Sequence, residues 1–118
     1  MQYKFIVKGR GEGKTKQLVD FLVDSEANGR GCVYVGSYFS YLAVKDMYEN
    51  TMHQRCPLVF ASSEDAVRLT TPMENVDFFT DELTNEMGHV LFSSLLTTWA
   101  DKLKESCWYI TIDRSFVV

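Results

Sequence analysis

Seven residues near the amino terminus, Gly9-Arg10-Gly11-Glu12-Gly13-Lys14-Thr15, have the types and spacing to hold a phosphate. Alternating glycines let successive backbone N–H groups turn inward and form a nest for an anion. A helix starting directly after them would aim its free amides and partial positive charge at the same point. Lys14 would then reach the β- and γ-phosphates of a nucleoside triphosphate, and the Thr15 hydroxyl would ligate Mg2+. Gly9, Arg10, Gly11, Glu12 and Gly13 complete the expected nucleotide site, with ATP and Mg2+ as its expected ligands. The spelling departs from the phosphate-loop pattern G-x-x-x-x-G-K-[ST] at one position, because Lys8 stands where the leading glycine belongs. A lysine there either strains the turn or adds a charge beside the phosphates. The competing reading is a glycine-rich strand-to-helix turn with a chance Gly-Lys-Thr.

A second cluster, Phe78-Phe79-Thr80-Asp81-Glu82, ends an apolar run in two adjacent carboxylates. Asp81 suits the metal side of a phosphate site, and Glu82 suits the base that polarises an attacking water. The alternative is an acidic helix cap formed by Thr80, Asp81 and Glu82. Asp77 does not fit the strand, since a buried strand should not carry a lone carboxylate.

These residues need elements to position them. Tyr3–Lys8 alternates and is β-prone, so it predicts a first strand. From Lys14 the period changes, with Leu18, Val19, Leu22 and Val23 on one helical stripe and Phe21 beside it. Asn28-Gly29-Arg30-Gly31 is the stop signal of that helix. Cys32–Gly36 reads as a buried strand, and Ser37 or Ser40 caps a second helix that frays at Glu49-Asn50-Thr51. Leu58–Ala61, Asn75–Thr80 and Trp108–Ile112 are further strands. Helices are expected from Ser62 to about Leu69 and from Val90 to about Glu105, with a polar loop or a short turn of helix at Thr84–Gly88. Strands alternating with helices imply a mostly parallel central sheet of about five strands covered on both faces, an α/β three-layer sandwich.

Composition narrows the classes. The chain of 118 residues is 46% hydrophobic and 14% aromatic, enough for the core of a single domain over residues 1–118. Its net charge of −4 lacks the basic footprint of most autonomous nucleic-acid binders, so nucleic acid is an unsupported partner. Apolar runs such as Leu18–Val23 are far shorter than the roughly 20 residues of a membrane span. Three cysteines without a C-x-x-C pair argue against a disulfide scaffold or a cysteine zinc site, and imply a cytoplasmic protein. His53 and His89 lack ligand spacing, Trp99 and Trp108 read as core, and Tyr34, Tyr38, Phe39, Tyr41 and Tyr48 read as core and helix surface rather than a base-stacking platform.

The glycine loop resembles the G-G-R-G-x-G-K-[ST] loop of phage large-terminase motors and kindred viral ATPases, with Lys8 replacing the leading glycine. The Asp81-Glu82 pair resembles the acidic motif of the additional-strand, catalytic-glutamate division of P-loop NTPases, which includes helicases, terminases, AAA+ and RecA-like ATPases. Tyr34–Tyr38 and Leu58–Ser63, with Arg68 after them, are similar to the corresponding terminase segments. The resemblance implies a P-loop fold in which the last strand inserts between the P-loop strand and the acidic strand, placing Trp108–Ile112 beside Tyr3–Lys8. It also implies that Thr111, Asp113 or Arg114 faces the γ-phosphate. Thr111-Ile112-Asp113-Arg114 is similar to the Thr-x-His-Arg ending of some DNA-translocating ATPases. Arg114 would sense phosphate in cis or act on a neighbouring subunit; the alternative is an exposed arginine paired with Asp113.

Together these features lead us to expect a small, possibly viral ATPase that binds Mg2+–ATP and hydrolyses it slowly, using Lys14, Glu82 and Arg114 in catalysis and Thr15 and Asp81 at the metal. The alternative is a non-catalytic P-loop-fold regulatory or host-interaction protein. A nucleotide kinase is disfavoured, since neither a lid nor an arginine-rich base-binding region is evident. A protein partner or a second copy is expected to complete the function, in the host cytoplasm if the protein is viral.

Overall fold

The computed structural model describes residues 2–61, 75–81 and 105–116. The elements follow in the order β1 (Gln2–Lys8), α1 (Lys14–Ala27), β2 (Gly31–Val35), α2 (Tyr38–Met52), β3 (Val59–Ala61), β4 (Val76–Thr80) and β5 (Cys107–Asp113), with a 3-10 turn at Arg114–Phe116. The five strands form one parallel sheet in the order β1-β5-β4-β2-β3. The last strand therefore lies between the first strand and the acidic one, with Tyr3 opposite Trp108 and Lys8 opposite Asp113.

α1 forms because its apolar residues recur at helical spacing, and Leu18, Val19 and Leu22 are buried on one side. They pack on Ile6, Cys32, Tyr34 and Phe79 from the sheet and on Val44 and Tyr48 from α2. Burying each Leu or Val contributes about 1.5–3 kcal/mol. Phe21 stacks on Tyr109 at 4.9 Å, and Tyr109 stacks on Phe79 at 5.1 Å, fixing α1 over β5 and β4. Alternate residues point to the other face, where Val33, Val35, Phe78, Trp108 and Ile110 are also buried. Trp108 Nε1 donates to Thr80 Oγ1 at 2.8 Å, which locks the β4–β5 register. Among the described residues, no helix is long and apolar enough to cross a membrane.

Ser37 caps α2 and accepts from the Ser40 amide at 3.2 Å. The helix continues through the expected fray to Met52, because His53 turns left-handed (φ 53°) and its amide closes the last turn on the Glu49 carbonyl. Tyr34 and Tyr48 are core residues, whereas Tyr38 and Phe39 at the start of α2 are exposed. Cys32 and Cys56 are buried free thiols and Cys107 is half-buried. Burial pushes Cys32 up to about 11, which keeps it a protonated, unreactive thiol. The expected helices from Ser62 and from Val90, the Thr84–Gly88 loop, Arg68, His89 and Trp99 lie outside the described residues.

The carboxylate that does not fit its strand has partners. Asp77 is buried, yet its Oδ2 accepts from Ser25 Oγ at 2.7 Å and lies 2.9 Å from Arg30 Nε. Its Oδ1 accepts from the Cys107 amide at 3.0 Å. A buried carboxylate with a guanidinium and two donors is compatible with a core strand. The partners come from α1, the α1–β2 turn and β5, so neighbouring positions in the sequence gave no sign of them.

Candidate functional site

Because all five strands are parallel, their carboxyl ends share one edge of the sheet, the edge where open α/β sheets gather ligands. The glycine loop leaves β1 at this edge, Asp81 follows β4, and Asp113 and Arg114 end β5. Lys8 is an ordinary strand residue opposite Asp113 and does not have a positive φ, so replacing the leading glycine strains nothing. The left-handed positions are Gly11 (φ 78°) and Gly13 (φ 87°), where glycine is required. The loop closes on itself as the Glu12 amide donates to the Gly9 carbonyl at 3.2 Å.

Gly13 is the N-cap of α1, and with no side chain it leaves the first-turn amides without a side-chain acceptor. The first turn holds no acidic residue. A cleft of about 320 Å³ opens there, lined by Arg10, Gly11, Gly13, Lys14, Thr15, Lys16 and Met47. Free amides, the helix dipole, and the cations Arg10, Lys14 and Lys16 make its walls electropositive.

Thr15 Oγ1 donates to Asp81 Oδ2 at 2.7 Å. The other carboxylate oxygen accepts from Thr111 Oγ1, and the Asp81 amide donates to Tyr34 Oη at 3.3 Å. Asp81 is thus fixed from helix α1 and from strands β2 and β5, and is almost entirely buried. Thr15, which lines the cleft, and Asp81 behind it form a pair of hard oxygen donors. That set suits Mg2+, which takes one or two protein oxygens and fills its octahedron with water and phosphate oxygens. No group of three or more His, Cys, Asp or Glu side chains able to hold a metal occurs among the described residues.

Lys14 is buried, and its Nζ lies 3.2 Å from Asp113 Oδ2. The other Asp113 oxygen accepts from the Ser115 amide and the Ser115 hydroxyl, both at 2.9 Å. Those two hydrogen bonds, with Lys14 beside them, draw the Asp113 carboxyl down to about 2. Arg114 does not pair with Asp113. Its guanidinium forks onto Glu12, with Nη1–Oε1 at 3.1 Å and Nη2–Oε2 at 2.9 Å. Glu12 Oε2 also accepts from the Gly9 amide at 3.0 Å, and this bond, followed by the Arg114 charge, lowers the Glu12 carboxyl.

Of the residues expected at the site, Gly9 to Thr15, Asp81 and Arg114 therefore meet at one edge of the sheet; Glu82 lies outside the described residues. Sequence reasoning missed Tyr34, which reads as an apolar strand residue, and Ser115, which belongs to no motif. No protein-family profile matches the chain, and no match is found among curated proteins or solved structures.

Proposed function

We propose that this protein is a P-loop-type nucleotide-binding domain that takes Mg2+–ATP at the glycine loop and hydrolyses it slowly. The observation that carries the reading is the Thr15–Asp81 hydrogen bond of 2.7 Å, between the residue after the loop lysine and the carboxylate ending the acidic strand. A chance Gly-Lys-Thr turn has no reason to meet that carboxylate. In this reading the Gly11–Gly13 amides and the α1 N-terminus cradle the phosphate chain, and Lys14 neutralises its outer charge. Thr15 and Asp81 hold Mg2+, which when bound offsets phosphate charge. Glu82 orients the attacking water and accepts its proton, and Arg114 is available to the terminal phosphate once released from Glu12.

Calorimetry with Mg2+–ATP on the wild type and Lys14→Ala tests binding. The expected loss is about tenfold to hundredfold, the size of a charge-assisted contact. Identical binding by both proteins overturns the site. Phosphate release by the wild type and Glu82→Gln tests turnover, with the variant expected to fall to background.

A second reading, an interaction protein that binds nucleotide without turnover, is favoured by one observation. Glu12 sets a carboxylate in the anion loop and occupies the Gly9 amide. Retained ATP binding with equal, background phosphate release from wild type and Glu82→Gln would select it.

A further inference from the structure

Two adjacent residues at the carboxyl end of β5, Asp113 and Arg114, hold charges of the glycine loop, and one of those pairs lies directly on the lysine of the proposed site. The Lys14 side chain is nine-tenths buried, and its Nζ lies 3.2 Å from Asp113 Oδ2. Asp113 is not a loosely placed surface acid. Its second oxygen is tied to the Ser115 amide and hydroxyl at 2.9 Å each, and its backbone is opposite Lys8 in the β1–β5 ladder. The carboxylate is therefore presented to the lysine by a built support, in a fixed direction and fully ionised.

We propose that Asp113 is an internal competitor for the phosphate chain on Lys14, and so sets a threshold for nucleotide binding. The proposal rests on the nucleotide-binding reading above. A carboxylate and a terminal phosphate offer the same chemistry to an ammonium group, two or three anionic oxygens at hydrogen-bond distance. Each ammonium N–H kept on Asp113 is withheld from the phosphates, so the two anions compete for the same donors. Binding must loosen the pair and bring a polyanion toward a carboxylate that stays ionised, and both effects oppose affinity. Asp113 is only partly exposed, with 26% of its side chain accessible, so water screens that repulsion incompletely.

The test is calorimetry of Mg2+–ATP binding to the full chain for wild type, Asp113→Asn and Asp113→Ala, with thermal unfolding as the control for fold. Asp113→Asn keeps the size and one acceptor oxygen for Ser115, and removes the charge. It is expected to bind roughly two- to fivefold more tightly than wild type, the range of one partly screened ion pair. Asp113→Ala should change affinity in the same direction. Damage to the structure weakens binding, whereas only loss of a competitor strengthens it. Unchanged or weaker binding by both folded variants, with the wild type binding ATP, overturns the competitor role alone. Absence of ATP binding in wild type and both variants overturns it together with the nucleotide reading.

Discussion

Arg30 Nε lies 2.9 Å from Asp77 Oδ2 at the amino-terminal end of β4, and the same guanidinium donates through Nη2 to the Glu105 carbonyl at 2.7 Å. One side chain thus joins the α1–β2 turn, the acidic strand and the approach to β5. Asp77 and Asp81 are four residues apart on one extended strand, which separates them by roughly 13 Å. The two buried carboxylates accordingly have different tasks: one closes the bottom of the sheet and the other holds Thr15 and Thr111 at its opposite end.

Arg30→Ala leaves Asp77 buried without its cation. Removing one partner of a buried pair typically costs about 3–5 kcal/mol, and the partial exposure of Arg30 places the expected loss near the lower figure. Urea denaturation should show that loss. The affinity of the folded variant for Mg2+–ATP should match the wild type, because the pair is remote from the loop.

The loop glycines are not equivalent. Gly13→Ala forces a side chain into φ 87°, at an expected cost of about 1–2 kcal/mol, and should also impair ATP binding by distorting the start of α1. Gly9→Ala instead brings its Cβ to 2.9 Å from Glu12 Oε1, the movable end of an exposed side chain. It should therefore shift Glu12 and change the unfolding midpoint far less than Gly13→Ala. Thermal melts of the two variants side by side decide this.

Asp81→Asn retains an acceptor oxygen for one of the Thr15 and Thr111 hydroxyls, presents an N–H to the other, and loses the charge that would attract a cation. In EDTA it should bind ATP at least as well as wild type. Added Mg2+ should strengthen wild-type binding and leave the variant almost unchanged. A full Mg2+ response in Asp81→Asn removes this residue from the metal side.

Acid should weaken the edge of the sheet that carries the loop. The Asp113 carboxyl moves from its ordinary 3.8 to about 2 on folding, first through its bonds to Ser115 and then through Lys14. A carboxyl depressed in the folded state stabilises fully above its unfolded value, and that contribution is lost as pH falls through the folded one. Glu12 shifts in the same direction, through the Gly9 amide and then Arg114. Wild-type stability should decline between about pH 4 and pH 2, and Asp113→Asn should show a shallower decline in urea midpoints over that range.

Much of this protein is legible without coordinates. The glycine loop, the period change at Lys14, the stop at Asn28-Gly29 and the apolar runs ending at Val35, Thr80 and Ile112 are local patterns, each set by the conformations of a few neighbouring residues. They determined a strand, a glycine-rich turn, a helix and an alternating α/β order. The strand insertion at β5 was expected from resemblance, and the Lys8–Asp113 register was not expressed in any local pattern.

Tertiary structure decided the pairings. Lys14 faces Asp113, Arg114 faces Glu12, and Asp77 faces Arg30, Ser25 and the Cys107 amide, across separations of up to 102 residues. The sequence offers several acids and bases with equal right to each partner. Which of them meet depends on parallel pairing between the first and last strands, and on the direction in which alternate side chains leave the sheet. The same geometry turned Asp77 from an apparent flaw into a core tie, and set a carboxylate beside the loop lysine.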